Sequence, residues 1–225
     1  MRKRFGYRDV LRGVDLDIPR GSCFVLTGAN GTGKSTVLRV IATQWTFSSG
    51  SVEVLGLDVP RASLHVKSLL GAVFHESFLR PELSLEENLK FSASLHGLRW
   101  NDVAESATSL LDRLGLSRRR QDALSTFSDG MTRRADLIRS LLHRPELWIL
   151  DEPFAGLDAG GCELLETMIR EYVQKGRTVL LVTHRTALGE RLADSGAALE
   201  DGRVVVPRAE SPASNATAPL IRRER

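Results

Sequence analysis

Gly28-Ala29-Asn30-Gly31-Thr32-Gly33-Lys34-Ser35-Thr36 decides the fold. The stretch satisfies Gly-x-x-x-x-Gly-Lys-Ser and lies between an apolar run, CFVLT at 23–27, and a helical apolar set, Val37, Leu38, Val40 and Ile41. Strand, glycine-rich turn and helix in that order form a phosphate cradle. Glycines let backbone amides converge where a Cβ would clash, and the helix adds free N–H groups and the positive end of its dipole. Lys34 is expected to reach the β- and γ-phosphates and the Ser35 hydroxyl to bind Mg²⁺. The motif leaves the enzyme class open, since kinases, GTPases and motor ATPases share it.

Two more apolar runs read as buried parallel strands, 147–150 (LWIL) and 178–183 (TVLLVT). Ligands in open α/β sheets bind beyond the carboxyl ends of strands, so the residues that follow each run matter most. After the first come Asp151 and Glu152. Asp151 suits the metal, directly or through water, and Glu152 suits polarising a water for in-line attack on the γ-phosphorus. After the second comes His184, whose imidazole can hydrogen-bond a γ-phosphate.

Between these runs the spacing turns helical. Ser84 and Glu87 read as a capping box and Gly97 as a stop. Asn101 or Asp102 starts a second helix with the stripe Val103, Ala107, Leu110, Leu111 and Leu114, ended by Gly115. A helical subdomain over about 78–143 inserted in the sheet domain accounts for them. The segment 207–225 is rich in Pro, Ala and Ser and is expected to be a disordered tail.

Bulk properties narrow the classes. No apolar stretch approaches the ~20 residues of a membrane-spanning helix, and the charged start MRKR has no apolar region behind it, which points to a cytosolic location. Cys23 and Cys162 lack metal-ligand spacing and read as free thiols. The net charge of +3 comes without a basic cluster interleaved with aromatics, so nucleic acid is not an expected partner.

The ordered set GANGTGKST, FSDGM (127–131), LWILDEP, GLD (156–158) and VTH ending at His184 resembles the ATP-binding cassette of ABC transporters from about Phe5 to Val206. The resemblance implies a P-loop NTPase cassette over 1–206: a mixed central sheet flanked by helices, a small antiparallel β region and the inserted helical subdomain. It also implies ATP and Mg²⁺ as cofactors, with Gly28 to Thr36 binding nucleotide and Lys34, Glu152 and His184 serving hydrolysis. Ser128, Asp129 and Gly130 of the signature motif would grip the γ-phosphate on a second cassette, in a homodimer or a heterodimer. Asp158 resembles the aspartate that links the two sites. Phe5 falls where the family stacks an aromatic on adenine, with Tyr7 a second candidate. An integral-membrane permease would be the partner, which places the chain on the inner face of the cell membrane.

Two departures stand out. The family's glutamine in the loop joining sheet to helical subdomain is replaced within Val73-Phe74-His75-Glu76-Ser77, where His75 or Glu76 takes the place according to register. An apolar strand normally precedes the Lys-Arg-aromatic segment, and here Met1 nearly abuts Phe5. The stretch HESFLRPEL followed by EENLKF is similar to haem-exporter ATPases of cytochrome c maturation, while the Gly130-Met131 ending with Arg133-Arg134 is shared with multidrug-type exporters. The alternatives are a non-transport ABC ATPase and a hydrolytically weak regulatory subunit.

Overall fold

The computed structural model describes residues 1–208, with side chains to 205. Its centre is a six-stranded sheet in the order β10-β9-β3-β8-β7-β6. The strands are β3 (Cys23–Thr27), β6 (Leu70–Val73), β7 (Leu147–Asp151), β8 (Thr178–Val182), β9 (Ser195–Glu200) and β10 (Arg203–Arg208). Neighbours from β9 to β6 run parallel, and β10 closes the edge antiparallel to β9.

Alternation along these strands divides the interior in two. Cys23, Val25, Trp148, Leu150, Val179 and Leu181 face one core, with side chains from α3 (Leu85–Leu95), α4 (Trp100–Arg113), α5 (Asp129–Leu141), α6 (Ala159–Gln174) and α7 (Thr186–Leu192). Phe24, Leu26, Leu147, Ile149, Leu180 and Val182 face the other. That second core holds α1 (Lys34–Ile41), Val66 of α2 (Ser63–Ser68), Leu11 of β2 (Arg8–Arg12), whose hairpin partner β1 (Arg2–Phe5) stays largely exposed, and the hairpin β4 (Glu53–Val54) with β5 (Leu57–Asp58). A sheet covered on both faces needs apolar residues at every position of its inner strands, which is why these runs do not alternate with polar residues.

The capping box forms: Glu87 N donates to Ser84 Oγ at 3.2 Å and Ser84 N to Glu87 Oε2 at 2.8 Å. The second helix differs from the sequence expectation. It begins at Trp100, with Arg99 in the capping position and no side-chain cap, so neither Asn101 nor Asp102 starts it. Starting at Trp100 puts Asp102 in the first turn, the favourable place for a carboxylate against the helix dipole, and Arg99 Nε donates to its Oδ2 at 3.2 Å. The Lys-Arg-aromatic segment is itself a strand, β1, which ends at Phe5 and pairs antiparallel with β2. Strand β10 reaches Arg208, two residues beyond the expected boundary at 206. The rest of the expected tail, 209–225, lies outside the described residues.

Candidate active site

The tips of β3, β8 and β7 adjoin, because these strands are consecutive and parallel in the sheet. The cradle leaves β3, the acidic pair ends β7 and His184 follows β8, so one sheet edge collects all three.

Gly33 precedes α1 at φ +107, a conformation L side chains rarely adopt, and a Cβ there would lie 2.8 Å from Leu11 Cδ2. No side chain caps α1, and no acid occupies its first turn. By contrast α5 and α6 are capped by Ser128 and Asp158, and α3 carries Glu86 and Glu87 in its first turn. The amides that open α1 are therefore left for an anion. Lys34 is 7 % exposed and its Nζ donates to Gly28 O at 2.8 Å and Ala29 O at 2.9 Å, which draws the ammonium back over the cradle. Thr32 Oγ1 donates to Ala29 O at 2.9 Å and tightens the turn around Asn30 and Gly31.

Asp151 is buried, and burial pushes its carboxyl above the ordinary value. The Ser35 hydroxyl opposes that shift by hydrogen bonding, Glu152 adds to it, and the Arg39 and Lys34 charges oppose it. A desolvated carboxylate beside a hydroxyl is an oxygen-donor set suited to a hard divalent cation, which would restore the stabilisation that burial removes. Glu152 sits at φ +51, an uncommon backbone for a non-glycine residue, while its N–H donates to Val182 O at 2.9 Å. Its Oε2 lies 2.9 Å from His184 Nδ1. The strand-to-strand bond at the tip fixes the turn, and the turn aims the carboxylate at the histidine.

The remaining candidates lie elsewhere. Ser128 caps α5, its Oγ accepting from Met131 N at 3.4 Å. Gly130 faces the Gly156 turn so closely that a Cβ would lie 2.6 Å from Gly156 O. Asp129 is exposed beside it. Asp158 caps α6 through Gly161 N at 2.9 Å and lies 3.7 Å from Arg134 Nη2. Among the described residues, no hydrogen bond or ion pair joins Ser128, Asp129 or Gly130 to the cradle of the same chain.

Phe5 is 41 % exposed and packs edge-on against Trp45, centroids 5.1 Å apart, with Lys3 Nζ 4.6 Å from its ring centre. Tyr7 is fully exposed at the hairpin turn. In the loop after β6, His75 and Glu76 are both exposed. Arg133 of α5 donates to Phe74 O at 2.7 Å and His75 O at 3.5 Å, and Arg139 to Ala72 O at 2.7 Å. Glu76 Oε2 instead lies 3.2 Å from Arg39 Nη2 on α1. Sequence reasoning passed over Arg39. Its signal was its place one helical turn after Ser35, on the same face of α1.

A profile described as "ABC transporter" matches residues 11–155. The chain belongs to the ABC transporter family. This ABC cassette is 31 % identical over 205 residues to the linearmycin resistance ATP-binding protein of Bacillus subtilis, an alignment covering 91 % of the chain and 66 % of that relative. It is 36 % identical to a daunorubicin resistance ATP-binding protein of Streptomyces coeruleorubidus, covering 90 % of the chain and 64 % of the relative. The Nod factor export ATP-binding protein I of Rhizobium etli is 34 % identical, with 90 % and 64 % covered. The cassette thus spans somewhat under two thirds of the length of these curated relatives. Among solved structures, the ATP-binding subunit of an ABC transporter superposes with a TM-score of 0.86 at 30 % identity, covering 92 % of this chain and 86 % of that one. A dimeric post-hydrolysis ATP-binding cassette bound to ADP and Pi shares the fold, with a TM-score of 0.84 at 23 % identity and 92 % and 94 % covered. The mixed α/β cassette fold expected from the sequence is the fold observed, and the chain is an ABC transporter ATP-binding cassette. No helix among the described residues is long and apolar enough to cross a membrane.

Proposed function

We propose that this cassette binds and hydrolyses MgATP as the motor of an exporter, closing with a second cassette over two nucleotides and driving a separate integral-membrane permease. The observation that carries the reading is the Glu152–His184 pair, 2.9 Å apart and beside the buried Asp151. Lys34 and the free α1 amides hold the triphosphate, and Ser35 and Asp151 hold the cation. Mg²⁺ supplies charge neutralisation of the β- and γ-oxygens when bound. Glu152 orients and deprotonates the attacking water. His184 keeps that carboxylate aimed and hydrogen-bonds the γ-phosphate.

Among the described residues no hydrogen bond or ion pair joins the signature segment to the cradle of its own chain, and this supports a site completed by a second cassette. Its Ser128, Asp129 and Gly130 would then serve the partner's nucleotide, with Asp158 between the two sites. An exporter is favoured because relatives over 90 % of the chain carry names of drug resistance and Nod factor export. The segment from His75 to Phe91 makes haem export in cytochrome c maturation the second reading of the cargo. Working with a permease would place the cassette on the cytoplasmic face of the membrane.

The test is ATP-dependent dimerisation of Glu152→Gln measured by light scattering, together with co-purification of the native protein. A dimer that forms with ATP and dissolves in EDTA, and a multi-span membrane protein that travels with the cassette, are the expected results. A monomer under all nucleotide conditions would remove the two-cassette mechanism, and a purely soluble complex would remove transport.

A further inference from the structure

Arg39 stands between two acids. On α1 it follows Ser35 by four residues, so it lies one helical turn along the same face of that helix. On its outer side it pairs with Glu76 at 3.2 Å. The guanidinium is also held by two rings, 5.0 Å from the Trp45 centre and 5.2 Å from that of Phe74. Its side chain is 18 % exposed against 74 % for Glu76. Packing thus fixes the cation in place, whether or not Glu76 is there to balance it.

A fixed positive charge one turn from the cation-binding hydroxyl opposes the entry of a divalent cation. We propose that Glu76 is a positioning residue that acts through Arg39: it neutralises the guanidinium so that Ser35 and Asp151 can take up the metal of MgATP. The inference rests on the MgATP reading above. It assigns Glu76 no bond to the metal, and no group of three or more metal-capable His, Cys, Asp or Glu side chains occurs among the described residues.

The same loop belongs mechanically to α5, because Arg133 and Arg139 hold the carbonyls of Phe74 and Ala72 from there. Those bonds are shielded, whereas the Glu76–Arg39 pair is open to water and easily broken.

The experiment measures the affinity of a fluorescent, non-hydrolysable ATP analogue in EDTA and in Mn²⁺, and takes the ratio as the metal's contribution. Glu76→Gln is expected to lower that ratio roughly three- to ten-fold, and to leave it unchanged when made in an Arg39→Gln background. The Glu76→Gln deficit is expected to shrink as salt rises from 50 mM to about 500 mM, because screening weakens the exposed charge. That comparison needs only the surface variant, so it holds even if the double variant folds poorly. An unchanged ratio in Glu76→Gln overturns the proposal. So does a drop of the same size when Glu76→Gln is made in the Arg39→Gln background, which would make Glu76 act on the metal by itself. A native chain that binds no analogue in either medium would instead overturn the MgATP reading, and the proposal with it.

Discussion

His184 Nδ1 lies 2.9 Å from Glu152 Oε2, and the pair joins the tips of two strands, β8 and β7, that are neighbours in the sheet. Glu152 reaches the histidine from a left-handed backbone at φ +51, which costs of order 1–3 kcal/mol and persists only where surrounding structure enforces it. The Glu152 N–H to Val182 O bond is that enforcement.

Strain and chemistry can therefore be separated at position 152. Glu152→Gln is expected to keep ATP binding and lose hydrolysis by roughly 10²–10⁴, the scale of a general base. Glu152→Gly is expected to lose hydrolysis as well, yet to unfold at the same or a higher temperature, since glycine accepts this φ. Phosphate-release assays and calorimetry on both variants check this. A stable, fully active glycine variant would take the carboxylate out of the reaction.

Gly130→Ala pushes a Cβ to 2.6 Å from a backbone carbonyl, Gly156 O, which cannot rotate aside as a side chain could. A loss of about 1–3 kcal/mol of stability is expected, the range for overpacking. ATPase activity is expected to fall at least ten-fold, because the signature and Gly156 turns are forced apart. Denaturant unfolding and steady-state turnover measure the two effects.

Arg133 is buried, and its guanidinium serves the carbonyls of Phe74 and His75. Arg133→Met keeps the length and removes the donors, leaving a buried carbonyl unpaired at a cost of about 1–3 kcal/mol. Hydrogen exchange in the loop after β6 is expected to accelerate, with the cradle amides little changed.

His143 stacks on His96 with ring centres 3.7 Å apart, and its Nε2 lies 2.8 Å from Leu70 O. Burial, followed by the His96 and Arg139 charges, lowers its pKa from 6.5 to about 4. The unfolded chain takes up a proton on this ring below 6.5 and the folded chain does not, so its contribution to stability is full above 6.5 and is lost as pH falls toward 4. A loss of about 2 kcal/mol between pH 7 and pH 5 is expected from this residue. Burial lowers the His96 pKa in the same direction. Urea unfolding at the two pH values, repeated for His143→Gln, isolates the share of His143, and the variant is expected to show the shallower dependence.

The sequence by itself determined the cradle, the acidic strand end, the three inner strands and the Ser84 cap. Each is written in neighbouring residues: a glycine spacing, an apolar run broken by carboxylates, a serine three places before a glutamate. Local chemistry of that kind needs no knowledge of the rest of the chain. Tertiary structure alone decided that β3, β8 and β7 lie side by side, since strand order is set by how crossovers pack across the sheet. It alone bent Glu152 into a left-handed turn, seated Gly130 on Gly156 and gave Glu76 an arginine 37 positions earlier in the chain as its partner. These relationships depend on burial and on contacts between remote segments, and no spacing along the chain encodes them.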